Sequence, residues 1–237
     1  MFSMFSSKTQ TKVDLHSHLL PAMDDGSKSM ADSLEMIKEL KKLGYEKLII
    51  TPHISDLFPN DRKSILEGYG QLKSELKKQE IAIEIEIGAE YYADENFEKL
   101  LLNREILSFG SKNYLLFELS YFTPHQNVEE LIYEIQLNGY TPILAHPERY
   151  LYWHDELSRY PALKEEGVLF QVNINSINGY YNKAVQGIAY KLIKNRLVDF
   201  LGSDTHHMTH LKNLKRTFSH SLYKKAFKLN TILNDSL

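Results

Sequence analysis

The stretch VDLHSH at residues 13–18 decides how the rest of the chain is interpreted. It ends the first apolar run and places His16 and His18 two positions apart. Because side chains alternate along a strand, Asp14, His16 and His18 are expected to share one face. Two imidazoles at a strand end suit a divalent metal, with Asp14 behind them to fix a tautomer or share charge. Taken alone, the motif is equally consistent with a chance pair among ten histidines.

The same pattern recurs along the chain, where apolar, β-prone runs stop at a histidine or a carboxylate. Imidazoles and carboxylates are the ligands that hard and borderline divalent metals accept. In parallel α/β folds, active sites are built at the carboxyl ends of the strands. The recurrence therefore predicts one metal centre. Its candidate ligands are His16, His18, Asp25, His53, Glu90, Glu118, His146, Asp204 and His206.

The composition suits one substantial α/β domain. The chain has 237 residues, of which 43% are hydrophobic and 25% are charged, and its formal net charge is -3. This balance lacks the basic excess of a nucleic-acid-binding surface. The chain has no cysteine, which excludes disulfides and thiolate ligands and fits a reducing cytoplasm. No apolar stretch approaches the roughly 18 residues that a membrane span needs.

Strand and helix patterns alternate along the chain. Seven strand–helix repeats indicate a parallel sheet, and strand ends that must converge on one site favour a closed barrel over an open sheet. We expect Gly44 to end the first helix and Asn127 to cap the fourth. Strands are predicted at 12–16, 47–51, 82–88, 113–118, 141–145, 168–173 and 198–202. Helices are predicted at 29–43, 62–79, 94–103, 127–138, 155–166, 182–195 and 210–235.

Residues 1–11 are predicted to form a flexible N-terminus ahead of a single domain at 12–237. The start lacks the basic region and the long apolar core of a signal peptide. Phe2, Met4 and Phe5 leave open a contact with a membrane surface. A floppy terminus is the favoured interpretation.

Nine ligands are too many for one ion, whereas three ions that share carboxylates would use them well. The four carboxylates among them, set against three divalent cations, leave a net charge of about +2 before any hydroxide binds. Such a site attracts a phosphate dianion and supplies a bound hydroxide near neutral pH. The charge pattern therefore predicts chemistry on a phosphate ester.

Seven motifs, in order, resemble the PHP (polymerase and histidinol phosphatase) superfamily of metal-dependent phosphoesterases. The likeness is closer to the bacterial protein-tyrosine phosphatases of capsule and exopolysaccharide clusters, the CpsB/CapC family. The first and fifth motifs together are much more specific than a lone HxH. The motifs are DLHSHLLPAMDDGS at 14–27, TPH at 51–53, GAEYY at 88–92, FELS at 117–120, ILAHPERY at 143–150, QVN at 171–173 and GSDTH at 202–206.

The resemblance implies a distorted (β/α)7 TIM-like barrel, the PHP fold, as a single domain with three divalent ions. Manganese is the expected metal, with iron, zinc or magnesium as alternatives. Glu90 would bridge two of the ions and is expected to be catalytic. The implied ligand sets are His16, His18, Glu90 and Asp204 for one ion, Glu90, Glu118 and His146 for a second, and Asp25, His53 and His206 for the third.

Arg149 matches the arginine that binds phosphate in these phosphatases, and it is the second expected catalytic residue. The planar, always-charged guanidinium of arginine suits that task better than the ammonium of lysine does. The alternative is a structural ion pair of Arg149 with Glu148 or a nearby carboxylate. Related phosphatases often carry a second arginine after DTH. Here His207, His210 or Lys212 would have to replace it.

Two further assignments stay open from the sequence. Either Asp24 caps the loop while Asp25 binds metal, or the two roles are reversed. The tyrosine pairs at 91–92 and 180–181 either line a substrate cleft or pack as half-buried aromatics. Packing is favoured for three of the four tyrosines.

The resemblance implies a protein-tyrosine phosphatase that dephosphorylates a tyrosine autokinase of capsular or exopolysaccharide biosynthesis. The reaction would be a direct attack by a metal-bound hydroxide, because the absence of cysteine closes the phosphocysteine route. The alternatives are a phosphatase of a small phosphomonoester such as histidinol phosphate, and a catalytically silent regulatory binding protein. The expected location is the cytoplasm, either free or held at the inner membrane through the kinase. The oligomeric state is left open.

Overall fold

Within residues 10–237, a computed structural model shows nine short strands, all paired in parallel. They are β1 (Val13–Asp14), β2 (Lys47–Ile50), β3 (His53–Ile54), β4 (Glu84–Ile87), β5 (Glu90–Tyr92), β6 (Tyr114–Glu118), β7 (Thr141–Ala145), β8 (Leu169–Asn173) and β9 (Phe200–Gly202). One sheet has the order β1-β2-β4, and the other has the order β3-β5-β6-β7-β8-β9. Each of the seven predicted strands is present, and two of them are divided.

The two divided strands are interrupted for different reasons. Pro52 separates β2 from β3, because proline has no N–H to give to a ladder. Gly88 separates β4 from β5, where a Cβ would lie 2.7 Å from the Phe109 ring. The Gly88 amide still donates to the Ile50 carbonyl (2.9 Å), and the Glu90 amide donates to the Pro52 carbonyl (3.1 Å). Each pair of segments therefore stays in one continuous ladder.

The chain after β1 closes the barrel against the chain after β9. Ser17 and Thr205 form a parallel bridge. The His18 amide donates to the Thr205 carbonyl (3.0 Å), and the Asp204 amide donates to the His16 carbonyl (2.9 Å). The predicted distorted (β/α)7 barrel in a single domain is confirmed. Its closing hydrogen bonds involve the same short segments that carry the candidate ligands.

Eight α-helices follow the strands within the same residues. The Ser29 hydroxyl caps α1 by accepting from the Asp32 amide, and Gly44, at φ +100°, lies just beyond the helix end as predicted. The helices are α1 (Met30–Lys42), α2 (Arg62–Lys78), α3 (Glu95–Leu102), α4 (Val128–Leu137), α5 (Arg159–Glu165), α6 (Lys183–Lys194), α7 (Met208–Thr217) and α8 (Ser221–Leu229).

Three details of the helices differ from the predictions. The predicted helix 155–166 begins only at Arg159, because 3₁₀ turns at Pro147–Arg149 and Leu151–Trp153 and a further turn take up the preceding chain. The terminal segment, predicted at 210–235 as one or two helices, forms two, α7 and α8, and the first already begins at Met208. Asn127 has the predicted N-cap position of α4, but its side chain donates to Glu130 (3.1 Å) and accepts no backbone hydrogen bond. The position is therefore confirmed, and the side-chain capping bond is absent.

Apolar side chains are buried on both sides of the strands. One cluster lies inside the barrel and draws its members from β1, β2, β6, β7 and β9, including Val13, Ile49, Leu116, Ile143 and Phe200. The larger cluster joins the outer strand faces to the helices. Because the interior is filled with apolar side chains, a polar centre has room only at the mouth of the barrel.

Part of the predicted flexible N-terminus lies outside the described residues, and this part includes Phe2, Met4 and Phe5. The domain boundary at residue 12 stays a prediction. From residue 10 onward, no helix has both the length and the apolar character that crossing a bilayer requires.

Candidate metal centre

All nine predicted ligands meet at the mouth of the barrel. His16 and His18 follow β1, His53 and Glu90 begin β3 and β5, and Glu118 ends β6. His146 follows β7, and Asp204 and His206 follow β9. Their ring nitrogens and carboxylate oxygens form four overlapping groups, within each of which these atoms lie within 4.8 Å of one another. The groups are His18, Asp25, His53 and His206; His16, His18 and Asp204; His16, Glu90 and His146; and His53, Glu90 and Glu118.

Glu90 lies at the middle of the centre and is fully buried. Its Oε2 lies 3.1 Å from His16 Nε2, 3.3 Å from His18 Nε2 and 3.2 Å from His53 Nδ1. Its Oε1 lies 3.0 Å from His146 Nε2. Although burial alone would raise the pKa of Glu90, His16 and His53 hold that pKa well below its usual value. Glu90 is therefore placed to share its two oxygens between neighbouring ions.

The three implied ligand sets are each brought together. In the first, Asp204 Oδ1 lies 3.5 Å from His16 Nε2 and 3.6 Å from His18 Nε2, beside Glu90. In the second, His146 Nε2 lies 3.0 Å from Glu90 and 3.7 Å from Glu118. In the third, Asp25 Oδ1 lies 3.3 Å from His206 Nε2 and 3.7 Å from His53 Nε2.

These separations fit a shared cation better than direct hydrogen bonds. Ligands at about 2.0–2.2 Å from one ion lie roughly 3.0–3.5 Å from each other. His16 Nε2 and His18 Nε2 are 3.2 Å apart, a separation that two ligands of one ion would have. Histidine nitrogens with carboxylate oxygens are a donor set for divalent transition metals.

The electrostatics of the centre also suit a cation. Burial and the adjacent Glu90 carboxylate raise the pKa of Glu118 well above its usual value. Burial lowers the pKa of His53 to about 4, and the neighbouring His18 contributes in the same direction. His53 is therefore neutral near pH 7, which is the form that binds metal. An ion bound beside Glu90 would therefore stabilise the ionised form of Glu118, and the neutral His53 offers a free lone pair.

Two of the ligands have left-handed backbone conformations. His146 has φ +33° and Asp204 has φ +49°. Residues other than glycine adopt such angles at a cost of order 1–3 kcal/mol each, and they cluster at functional sites. The strain turns each side chain inward at the point where its strand ends.

Asp24 and Gln171 hold two of the imidazoles in place. Asp24 Oδ2 lies 2.8 Å from His18 Nδ1 and accepts from the His53 amide (3.0 Å). Gln171 Oε1 lies 2.7 Å from His16 Nδ1. These bonds leave the Nε2 atoms of His16 and His18 facing the centre. Asp24 thus has the supporting position, whereas the half-exposed Asp25 faces His53 and His206.

Asp14 does not have the position expected from strand alternation. Its carboxylate accepts hydrogen bonds from the backbone amide (2.9 Å) and the hydroxyl of Ser203. Asp14 therefore ties the start of the barrel to the loop after β9, and Gln171 supplies the partner that His16 was predicted to find in Asp14. The prediction failed because β1 ends at Asp14, so strict alternation does not continue to His18.

Arg149 lies beside the metal ligands on the loop after β7. Its Nη1 donates to Asp204 Oδ2 (3.3 Å), and its side chain is 23% exposed, which leaves part of the guanidinium open to a ligand. It is not paired with Glu148, whose Oε1 instead accepts from the Asn173 amide (2.9 Å) and the Ser176 hydroxyl (2.6 Å). The carboxylate that Arg149 contacts is thus a member of the candidate centre.

The three candidates for a second anion contact lie in different settings. His210 is buried, and its Nδ1 lies 2.9 Å from the Asp204 carbonyl oxygen, so it supports the ligand loop. His207 is exposed at the start of α7, with its ring 4.0 Å from that of His210. Lys212 is exposed on α7. Burial thus makes His210 the least accessible to a phosphate, and the assignment of the contact stays a prediction.

Several residues of the site were missed by sequence reasoning. Asn173 Nδ2 donates to Asp204 Oδ2 (2.6 Å), and the Tyr181 hydroxyl donates to the same oxygen (3.2 Å). The Tyr121 hydroxyl donates to Glu118 Oε2 (3.1 Å). Gln171 and Asn173 carry a weak signal, because they are polar residues in the otherwise apolar strand LFQVN. Tyr121 lies in a loop without such a signal, and Tyr181 belongs to the tyrosine pair for which a substrate cleft or packing was left open.

Comparison with known proteins gives a consistent family assignment. The family model for capsular polysaccharide synthesis, CpsB/CapC, matches residues 12–228. Tyrosine-protein phosphatase YwqE of Bacillus subtilis is 32% identical over 197 residues, which cover 83% of this chain and 78% of that protein. The putative tyrosine-protein phosphatase CapC of Staphylococcus aureus is 28% identical over 198 residues, covering 83% and 78%.

Solved structures agree with the sequence comparison. One belongs to a study of YwqE from Bacillus subtilis and CpsB from Streptococcus pneumoniae, described as unique metal-dependent tyrosine phosphatases. It matches with a TM-score of 0.79 and 29% identity, covering 94% of this chain and 97% of that one. Histidinol phosphate phosphatase from Lactococcus lactis matches with a TM-score of 0.56 and 16% identity, covering 91% and 94%, which indicates a shared fold alone. The chain therefore belongs to the CpsB/CapC family of capsular polysaccharide synthesis.

Proposed function

We propose that this protein is a metal-dependent protein-tyrosine phosphatase of a capsular or exopolysaccharide cluster. The observation that carries the proposal is the convergence of nine nitrogen and oxygen ligands at the barrel mouth, with Arg149 at their edge. The family and the names of the relatives support the same activity. The proposed substrate is a phosphotyrosine on a tyrosine autokinase of polysaccharide export.

In this proposal, the three ligand sets would hold three divalent ions, with Glu90 shared between two of the sets. Manganese is the proposed metal. Ions bound there would supply Lewis acidity and an activated water. The protein itself orients His16 through Gln171 and His18 through Asp24, so that their ring nitrogens face the centre before any ion arrives.

Arg149 binds and orients the phosphate group in this proposal. Its guanidinium carries several N–H donors. Asp204 accepts a hydrogen bond from one of them, so the others are available to phosphate oxygens. The chain holds no cysteine to act as a nucleophile, and the phosphate is transferred directly to water. Because phenolate is a good leaving group, little general-acid help is needed, which favours phosphotyrosine over phosphoserine.

The surface beside the centre favours a protein substrate over a small molecule. A groove of about 770 Å³ lies between α3 and α4, and its lining includes Ala93, Ser120 and Leu131. Ser120 lies two residues after Glu118, and the Ala93 amide donates to the Glu118 carbonyl (2.9 Å), so the groove adjoins the centre. A phosphatase of histidinol phosphate or a similar small ester would instead enclose its substrate.

A catalytically silent binding protein would not need all nine candidate metal ligands at the barrel mouth.

The location follows from the proposed partner. A kinase of polysaccharide export would hold a cytoplasmic phosphatase at the inner membrane, so peripheral association needs no membrane span in this chain.

Substrate preference tests the proposed function. Protein stripped with a chelator and reloaded separately with manganese, iron, zinc or magnesium should be assayed on a phosphotyrosine peptide, a phosphoserine peptide and histidinol phosphate. The proposal predicts the highest kcat/KM on the phosphotyrosine peptide. A much higher kcat/KM on histidinol phosphate, or a phosphoenzyme trapped by rapid quench, would overturn it.

A further inference from the structure

The Arg149 guanidinium lies against the rings of two tyrosines. The guanidinium carbon lies 4.2 Å from the centre of the Tyr121 ring and 4.5 Å from the centre of the Tyr181 ring. These distances are well within the roughly 6 Å at which a cation is attracted by an aromatic face. The two rings therefore limit the positions that the guanidinium can take, while the side chain stays 23% exposed.

The same two tyrosines also bind metal-ligand carboxylates through their hydroxyls. Tyr121 donates to Glu118 Oε2 (3.1 Å), and Tyr181 donates to Asp204 Oδ2 (3.2 Å). Each hydroxyl therefore donates to a carboxylate that is expected to hold an ion.

The tyrosines come from two different loops, and each is held independently of Arg149. The Tyr121 carbonyl, in the loop after β6, accepts from the Leu151 amide (3.3 Å). The hydroxyl of Tyr181, which precedes α6, accepts from Asn173 Nδ2 (3.2 Å). Each tyrosine is thus anchored by a contact that does not involve Arg149, so the two rings can restrict the arginine.

We propose that Tyr121 and Tyr181 form an aromatic clamp that positions Arg149 to bind the phosphate, and that their hydroxyls tie this position to the metal-ligand carboxylates. The inference rests on the proposed phosphatase function and adds two positioning residues to it. An unclamped arginine side chain would have to give up several rotamers on binding phosphate, whereas a clamped one has already lost them.

Substitutions that separate the ring from the hydroxyl test the clamp. Tyr121→Phe and Tyr181→Phe keep the rings, whereas Tyr121→Leu and Tyr181→Leu remove them. Tyr133→Leu is the control, because Tyr133 lies exposed on α4, a helix that carries none of the clamp residues. The dissociation constant of inorganic phosphate should be measured on metal-loaded protein by calorimetry, and the metal content by elemental analysis.

The clamp predicts that each leucine variant weakens phosphate binding about fivefold or more at full metal occupancy, the scale of one cation–π contact. Each phenylalanine variant should bind phosphate within about twofold of wild type but hold metal less tightly, because a hydroxyl to a ligand carboxylate is gone. Tyr133→Leu should change neither quantity. Equal phosphate binding in leucine and phenylalanine variants would overturn the proposal.

Combination with Arg149→Ala distinguishes positioning from a general structural effect. If the rings act through the arginine, Tyr181→Leu should cause no further loss of phosphate affinity in the Arg149→Ala background. A loss that is as large there as in wild type would contradict the clamp. Phosphate binding is measured without turnover, so failure to hydrolyse phosphotyrosine would refute the proposed function separately.

Discussion

Glu90 is the residue on which the centre depends most, because its carboxylate faces four imidazoles. Glu90→Gln keeps the shape but removes a charge that two ions would share. We expect loss of at least one ion and a near-complete loss of turnover, measured by elemental analysis and by the rate on a phosphotyrosine peptide. The exposed Glu105→Gln is the control. Wild-type metal content and rate in Glu90→Gln would refute the bridging role.

Arg149 tests phosphate binding separately from metal binding. Arg149→Ala should keep its ions and lose roughly 2–4 kcal/mol of transition-state stabilisation, the scale seen when one preorganised donor is removed. Arg149→Lys should recover only part of this, because an ammonium makes no bidentate contact. The measurement is kcat/KM at saturating metal. If Arg149→Ala keeps the wild-type kcat/KM, another residue must bind the phosphate. Of the two histidine candidates, His207 is the more accessible.

At the residue scale, the sequence predicted which candidate ligands converge better than it predicted the residues that support them. His53 and His146 could be found because each ends an apolar run, a signal within a few positions of the chain. Gln171 could not be matched to His16, because its partner lies 155 positions away and only the closed barrel brings the two together. Asp14 was misplaced because β1 ends there and strand alternation does not continue, and its distant partner Ser203 could not be read from the sequence.

At the element scale, the loop after β1 depends on Gly26. A Cβ there would lie 2.3 Å from the His18 carbonyl oxygen, a backbone atom that has no free movement. Gly26→Ala should therefore displace the loop that carries Asp24 and Asp25, lower the melting temperature and weaken metal binding. These changes are checked by thermal unfolding and metal titration.

Gly70→Ala is the matched control for this substitution. Gly70 lies in α2, and a Cβ at this position would have no neighbouring atom within 4 Å, so alanine meets open space. Because glycine weakens a helix interior by roughly 0.5–1 kcal/mol relative to alanine, this change should leave metal binding intact and stabilise the protein slightly. If both variants behave alike, the close contact at Gly26 does not matter for the centre.

Element order was largely predictable, and the exceptions have local causes. The alternation of apolar runs with helical patterns predicted seven strands and the barrel. The interruption at Pro52 follows from the missing N–H of proline. This proline is visible in the run LIITPH, so the interruption could be predicted. The break at Gly88 depends on Phe109, and the late start of α5 depends on 3₁₀ turns that pack beside the centre. Neither could be inferred from periodicity.

At the scale of the whole molecule, metal binding and folding should be coupled. The ligands run from His16 to His206, so bound ions would link both ends of the chain across the mouth. Because a site that exists only in the folded state stabilises it by mass action, free metal a hundredfold above Kd adds about 2.7 kcal/mol for each site. Chelator should lower the melting temperature and manganese should restore it. A melting temperature that metal does not change would contradict this coupling.

The most direct test of the central claim is a metal titration of chelator-stripped protein, read out as hydrolysis of a phosphotyrosine peptide. The claim is that the strand-end ligands form a multinuclear centre on which this activity depends. It predicts negligible hydrolysis without metal, and a rate that rises with manganese until more than one ion is bound per chain. Full activity of the stripped protein in strong chelator, or a maximal rate with no ion bound, would contradict it.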